Sequence, residues 1–194
     1  MRKKMVLFWF ALFGLVFFLN PVEAMIESQQ TQRNEQNEKA MVVLGELHKR
    51  DIMVTSMPDK IVGGQVRYQN GKPFIMVSSS YPQEQEKRLV HEATHILARQ
   101  HSLLRQKNGS VSSLMEIMSQ VYEKRNPQQF KVYKEAPKGS PYNYGDYNKL
   151  VRPTEALALY AEKHYQGNIP NNQRIPVFDR VLKESGLGVL LKKE

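Results

Sequence analysis

The sequence contains no cysteine among its 194 residues. Without thiols the chain cannot form a disulfide framework, so the folded protein must be held together by core packing or by a bound metal ion. The same absence excludes every catalytic site and every metal site that depends on a cysteine side chain.

The sequence also lacks an apolar run long enough to cross a membrane. The N-terminal run, Met5–Leu19, is followed by Pro21 and falls short of the ~20 residues that a spanning helix requires. Basic residues precede it and small side chains follow at Val22 and Ala24, a pattern typical of a secretory signal peptide and not of an uncleaved anchor. We therefore predict a signal peptide at residues 1–24 and a secreted protein, either released or retained at the cell wall.

Acidic residues are fewer than basic ones. The chain has 28 Lys and Arg against 19 Asp and Glu, a formal net charge of +9. The basic residues are scattered and an export signal precedes them, so the charge does not indicate a nucleic-acid-binding protein. It favours a solvated basic surface that contacts an anionic cell-surface polymer or an acidic protein. We expect the folded domain to be a monomer.

The chain beyond the signal peptide divides into a polar segment and one domain. Residues 25–40 are rich in Gln, Asn and Glu with almost nothing to bury. We interpret them as a polar linker, either mobile or a solvated helix. The predicted domain covers residues 41–194, a length that suits a single hydrophobic core.

Strand-like patterns come first in this domain. Residues 51–57 and 63–69 are rich in alternating and β-branched side chains. Asn70-Gly71 then predicts a hairpin to a further strand at Phe74–Ser78. Pro73 favours an edge position for that strand, because proline cannot donate a hydrogen bond to a neighbour.

Helical patterns fill the rest of the chain. One helix is predicted from Ser80–Pro82 to about Arg105, with Ser80 as its cap and Pro82 in its first turn. Three more are predicted at residues 111–124, 152–165 and 178–186, and residues 126–148 are predicted to be a long irregular segment that can include a short helix. The predicted fold class is α+β, a small antiparallel sheet followed by a helix-rich C-terminal half.

The first of these helices contains the motif H-E-x-x-H, with His91 and His95 on either side of Glu92. Helical residues four apart differ by ~40° in direction and ~6 Å along the axis, so the two imidazoles can point at one spot. Zinc takes nitrogen and oxygen donors in a tetrahedron, and a catalytic zinc keeps one position open for water. Glu92 can reach that water as general base without binding the metal. This spacing predicts His91 and His95 as zinc ligands and Glu92 as a catalytic residue.

The apolar residues of the same helix form one stripe, and the two histidines lie on the far side of it, facing solvent or a cleft. The stripe consists of Leu89, Ala93, Ile96, Leu97 and Leu104. A solvated helix that carries its histidines by coincidence is the alternative interpretation.

His101 is one candidate for the third protein ligand. It has the spacing of the H-E-x-x-H-x-x-G-x-x-H peptidases, in which the helix turns back at the glycine. Here that position is Ala98, followed by two good helix formers. If the helix continues, His101 lies ~9 Å further along and ~120° away from His95, out of reach of the metal.

Glu155 is the candidate that we prefer, because it opens the helix predicted at residues 152–165 and can approach the first helix from there. Glu162 shares a face with Glu155 and could accept a hydrogen bond from a ligand imidazole. The alternatives are that Glu155 only favours the helix N-terminus electrostatically and that Glu162 is only solvated.

Taken together, "LVHEATHIL" and the later "RPTEALALYAEKHY" resemble the anthrax lethal factor-like metallopeptidases, the group that includes the bacterial Pro-Pro endopeptidases. The resemblance covers the chain from Ile61 to the C-terminus. It rests on the second helix and its spacing, since many peptidases share H-E-x-x-H. It implies a zincin-like fold, zinc bound by His91, His95 and Glu155, a water activated by Glu92, and a protein or peptide substrate.

The same family places a tyrosine seven residues before the ligand glutamate, where this chain has Asn148. A phenol that donates to the developing oxyanion is physically sensible. Tyr147 is our candidate for that role, and Tyr144 is the alternative. These aromatic rings could instead only cover the cleft.

Two classes of function remain open on the sequence. The first is a secreted zinc endopeptidase, with an extended substrate bound along the Phe74–Ser78 edge strand. The second is a non-enzymatic exported protein whose basic surface binds a wall polymer or an acidic partner. The zinc content of the purified protein distinguishes the two.

Overall fold

The computed structural model describes residues 3–58, 63–105, 110–135, 152–167 and 169–191, with side chains from residue 24 onward. The chain divides into two compact units, Met1–Glu38 and Lys39–Glu194. Helix α1 (Lys3–His48) supplies the first unit and its last turns belong to the second. Residues 24–38 of this helix are almost entirely exposed. The polar segment, for which the sequence allowed either a mobile linker or a solvated helix, is therefore a solvated helix in the structure.

Whether a helix could cross a membrane depends on its length and on how apolar it is. A spanning helix needs about twenty mostly apolar residues, and none formed by the described part of the chain meets that requirement.

A three-stranded sheet opens the second unit. Its strands are β1 (Met53–Met57), β2 (Gly64–Gln69) and β3 (Lys72–Ser78), in the order β1-β3-β2. The hairpin predicted at Asn70-Gly71 is confirmed, because β2 and β3 pair antiparallel on either side of it. Asn70 and Gly71 have φ values of 51° and 77°, the positive angles that a two-residue type I′ turn requires.

β3 is the central strand, so two predictions about the sheet were wrong. β1 pairs with β3 in parallel, from Met53 opposite Phe74 to Met57 opposite Ser78, which makes the sheet mixed and not antiparallel. β3 is not an edge strand, and Pro73 is tolerated because pairing with β1 begins only at the next residue. Among the described strands the edges are β1 and β2, so no extended peptide can add to residues 74–78.

The remaining helices follow the sheet and make the fold α+β, as predicted. They are α2 (Gln85–Leu97), α3 (Ser113–Arg125), α4 (Pro127–Lys134), α5 (Arg152–Tyr165) and α6 (Pro176–Leu182). α5 has the predicted bounds, with Pro153 and the acidic Glu155 in its first turn and Lys163 and His164 in its last. Acidic groups at the start and basic groups at the end favour a helix through its dipole.

α2 begins later and ends earlier than predicted. A 3₁₀ turn at Pro82–Glu84 precedes it, and that turn has no side-chain cap, so Ser80 does not cap this helix. At its other end the N–H of Ala98 donates to Thr94 at 3.0 Å and the chain then turns. The turn brings Leu104 into the core, where it is 3 % exposed. Burying a leucine is worth ~1.5–3 kcal/mol, more than the few tenths of a kcal/mol per residue that helix propensity contributes.

α2 is buried on two faces because it packs against both the sheet and α5, while α5 packs in turn against α3 and α6. Leu89, Ala93 and Leu97 of the predicted apolar stripe are buried, and so are His91 and Glu92 on the other side of the helix. The helix that carries the H-E-x-x-H motif therefore lies inside the domain. The largest fully buried side chains around it are Tyr160, Phe130, Phe178, Leu47, Ile75 and Met115.

Candidate metal centre

Two helices bring three ligand-type side chains together. His91 and His95 project from successive turns of α2, and Glu155 projects from the first turn of α5. One ligand atom from each of the three lies within 4.8 Å of the others. The convergence arises because α2 and α5 pack directly against each other.

The distances within this group are short and nearly equal. Nε2 of His91 lies 3.0 Å from Nε2 of His95. Oε2 of Glu155 lies 3.4 Å from Nε2 of His91, and Oε1 lies 3.4 Å from Nε2 of His95. Donor atoms bound 2.0–2.1 Å from a tetrahedral zinc lie ~3.3 Å from one another. Each of the three separations is close to that edge length, with the two histidines facing different oxygens of the Glu155 carboxylate.

The burial of these groups makes a shared cation the simplest way to satisfy them. His91 is 5 % exposed and Glu155 is 4 % exposed. Oε2 of Glu155 is buried and has no hydrogen-bond partner among the described residues. Buried acceptors without donors are costly, and two imidazole lone pairs and a carboxylate that face one point need a positive charge between them. His91, His95 and Glu155 thus fit a zinc ion by geometry and by donor chemistry.

Glu162 lies behind His91, on the side away from this point. Its Oε1 is 2.9 Å from Nδ1 of His91 and 3.6 Å from Nη1 of Arg88. Neither atom of the closer contact has a hydrogen-bond partner among the described residues. With a metal bound, a carboxylate in that position would orient the ring and favour the tautomer in which Nε2 keeps its lone pair. Arg88, Glu162 and His91 form a chain of contacts that leads from the surface to the candidate metal centre.

The two histidines differ in their affinity for protons. Burial opposes a charge on His91, but Glu155 and Glu162 outweigh it and raise the pKa of this imidazole far above its usual value. Burial lowers the pKa of His95 to about 4 despite the nearby Glu155. Burial also opposes a charge on Glu155, yet His95, His91 and a hydrogen bond from Tyr133 hold the pKa of its carboxyl well below normal. The metal-free group thus holds one proton on His91, in the place where a cation would bind.

Glu92 is buried beside the group but is not one of the three convergent side chains. It is 8 % exposed, and burial raises the pKa of its carboxyl to about 7. A group with a pKa near neutrality can both accept and donate a proton at physiological pH, which is what a general acid–base residue must do.

Tyr133 is a neighbour of the site that the sequence did not suggest. It lies on α4, is partly buried against the core, and donates a hydrogen bond to Glu155. No spacing rule relates it to the H-E-x-x-H motif. The only sequence signal for Tyr133 was a possible short helix within residues 126–148, a segment predicted to be largely irregular.

His101 is not part of the group formed by His91, His95 and Glu155. Because α2 ends at Leu97, the expected reason for excluding His101, a continuous helix, was wrong. His101 points elsewhere: its Nε2 lies 2.8 Å from Oε2 of Glu184, and its Nδ1 accepts from the N–H of Leu103. Tyr144 and Tyr147 lie outside the described residues.

The arrangement has been compared with known proteins at three levels. The chain matches no family model, no curated protein and no solved structure. The site must therefore be interpreted from its own geometry.

Proposed function

We propose that the protein is a zinc metallopeptidase. The observation that carries the proposal is the meeting of His91, His95 and Glu155 with donor atoms 3.0–3.4 Å apart in a buried setting. A group of this kind, next to a buried glutamate that follows the first histidine, suits hydrolysis by an activated water.

In this proposal His91, His95 and Glu155 would hold the ion, which would polarise a peptide carbonyl and make a bound water nucleophilic. Glu92 would take a proton from the attacking water and deliver it to the leaving amine. Glu162 would keep His91 in the correct tautomer. Tyr147 is retained as the proposed donor to the oxyanion.

The packing of α2 between the sheet and α5 supports a zincin-like arrangement, and the resemblance of these two helices to the anthrax lethal factor-like metallopeptidases supports the same proposal. Of the two edge strands, β2 begins beside Glu92, so β2 is the edge that could accept an extended peptide. The N-terminal sequence pattern supports export of the protein, and with it action on a protein or peptide outside the cell.

Metal analysis and one substitution test the proposal. The purified protein should hold one zinc per chain, and it should cleave members of an unbiased peptide library in a reaction that a chelator stops and added zinc restores. Glu92→Gln should keep the zinc and lower kcat at least ~100-fold, the lower end of what a positioned general base contributes. Glu135→Gln, at an exposed residue beyond α4, is the matched control and should leave both unchanged.

Two results would contradict the proposal. One is a protein that binds no zinc after dialysis against the metal, which would favour the exported binder. The other is full zinc-dependent activity in Glu92→Gln, which would remove the proposed general base.

A further inference from the structure

The start of β2 lies unusually close to α2, next to the candidate metal centre. A β-carbon placed on Gly64 would lie 2.9 Å from Cγ of Glu92 and 3.0 Å from its Oε1. A β-carbon on Gly63 would lie 2.6 Å from Nε and 3.0 Å from Cδ of Arg88. Carbon atoms in van der Waals contact are separated by ~3.5–4.0 Å, so an alanine at either position requires something to move.

The strand cannot easily be the part that moves. The carbonyl of Gly63 accepts a hydrogen bond from the N–H of Ser78 at 2.9 Å. Gly64 pairs with Val77 in the ladder between β2 and β3. Val77 and Ser78 are themselves buried, at 6 % and 1 % exposed. A retreat of β2 would break this end of the ladder, so an added methyl group would displace the side chains of α2 instead.

The two displaced side chains belong to different parts of the site. Glu92 is the proposed general base. Arg88 contacts Glu162, and Glu162 contacts Nδ1 of His91. The two glycines thus stand beside two separate features, the base and the carboxylate that orients a ligand.

We propose that Gly63 and Gly64 are positioning residues of the candidate metal centre, and this inference rests on the proposed function. Because Gly64 has no β-carbon, the side chain of Glu92 can occupy the space beside it. Because Gly63 has no β-carbon, the side chain of Arg88 can pass beside it and contact Glu162. Adjacent glycines therefore serve the catalytic base and the orientation of a ligand separately.

Thermal unfolding of the metal-free protein tests the contacts without requiring zinc or turnover. Gly64→Ala should lower Tm by roughly 3–10 °C, the range expected for overpacking a buried contact in a domain of this size. In a Glu92→Ala background the loss should disappear, because the atoms that clash are gone. Gly63→Ala should show a smaller loss, because the atoms it meets belong to the flexible, partly exposed side chain of Arg88. Arg88→Ala should relieve that loss.

Gly45→Ala is the matched control. Gly45 lies in α1 and has no atom within 4 Å of where its β-carbon would be. Its substitution should not lower Tm, and its effect should be the same in every background. An equal loss of Tm for Gly64→Ala with and without Glu92 would overturn the inference, as would an equal loss for Gly63→Ala with and without Arg88.

Zinc binding and kinetics test the separation of roles. Gly64→Ala should keep the zinc affinity of the wild type within about twofold and lower kcat by about 10–100-fold with little change in KM, since displacing a catalytic group by ~1 Å can cost 100-fold. Gly63→Ala should weaken zinc binding by about 3–10-fold, less than direct loss of a ligand's hydrogen-bond partner, and should keep kcat once zinc is saturating.

The outcomes also distinguish this inference from the proposed function. A wild-type protein without zinc would overturn both. A zinc-loaded, active wild type in which the two alanine variants have the same effects on zinc and on kcat would overturn the separate roles alone.

Discussion

Helix α5 carries buried polar groups on two opposite faces, and the two sets differ in how they are satisfied. Glu155 and Glu162 face α2 and the candidate metal centre. His164 lies nine residues after Glu155, which on a helix corresponds to a half-turn difference in direction. On that other face, His164 and Tyr160 approach Asp179 of α6.

On the face toward α6, the polar groups of Tyr160 and Asp179 are satisfied by contacts within the protein. Tyr160 donates to Oδ1 of Asp179 at 2.6 Å and accepts from the N–H of Ile175 at 3.0 Å. Nε of Arg174 lies 3.0 Å from Oδ2 of the same carboxylate. Burial lowers the pKa of His164 to about 4, so this imidazole is neutral at physiological pH. Donors and acceptors alternate around Asp179, so this part of the network is stable by itself. Nε2 of His164 lies 3.5 Å from Oδ1 of Asp179 and has no hydrogen-bond partner among the described residues.

The face toward α2 brings acceptors together without enough donors. His91, His95 and Glu155 converge on one point, and among the described residues the proton on His91 and the hydroxyl of Tyr133 are the donors that offset them. Burial of polar groups is thus common to both faces and does not distinguish them. Convergence of acceptors on one point is what marks the candidate metal centre.

The largest effect on zinc affinity is expected when one of the proposed ligands is removed. Glu155→Ala should weaken zinc binding more than 100-fold, beyond the 10–100-fold that loss of an outer partner costs. Asp179→Asn, on the opposite face, should leave zinc affinity within about twofold but lower stability by ~1–3 kcal/mol, because it leaves buried donors poorly matched. Competition with a chromogenic chelator measures the affinity, and thermal unfolding measures the stability. Equal zinc affinities in the two variants would contradict the proposed difference between the two faces of α5.

A smaller effect is expected when the partner of a ligand is changed. Glu162→Gln should weaken zinc binding by about 10–100-fold, since the amide is a poorer acceptor for the N–H of His91. Its control is Tyr160→Phe, which removes a buried hydroxyl from the other face of the same helix and should leave zinc affinity unchanged. If Glu162→Gln bound zinc as tightly as the wild type, the contact of 2.9 Å between Glu162 and His91 would have no role in metal binding.

The smallest expected effect is the change in zinc affinity that accompanies a change of one pH unit. Zinc must displace the proton on His91, whose pKa is raised, so affinity should rise about tenfold per pH unit from pH 6 toward 9. The stability of the metal-free protein should change in the opposite sense. A raised pKa in the folded state contributes stability that is complete below the unfolded value of ~6.5 and is lost as pH rises through the folded value. Chelator competition and metal-free unfolding at several pH values measure the two slopes.

Glu155→Gln sharpens this test because it removes the main group that raises the pKa of His91. The metal-free stability of that variant should change less with pH across the same window. A zinc affinity that is independent of pH below 9 would show that no proton occupies the cation position.

Local patterns predicted the elements whose causes are local. The bounds of α5 follow from a proline and an acid in its first turn, and the β2–β3 hairpin follows from Asn70-Gly71. His91, Glu92 and His95 could be singled out because their spacing expresses helix geometry. Glu155 could be singled out from its place at the start of a helix and from a family resemblance.

The features that could not be predicted from the sequence depend on contacts between residues that are far apart in the chain. The end of α2 is set by the packing of Leu104 and not by the helix propensity of the residues after Leu97. The parallel pairing of β1 joins strands that are not neighbours in the chain, so no turn signal marks it. Tyr133 reaches Glu155 from a separate helix, and a contact of that kind leaves no periodic trace in the sequence.

The central place of β3 has a consequence for the order in which the protein folds. β1 and β2 precede β3 in the chain but touch it from opposite sides, so neither can complete its pairing before β3 has arrived. The β2–β3 ribbon closes across only two residues, whereas β1 must join across a longer stretch of chain at a greater loss of entropy. During refolding, amide hydrogens of β1 should therefore become protected from exchange with solvent after those of β2.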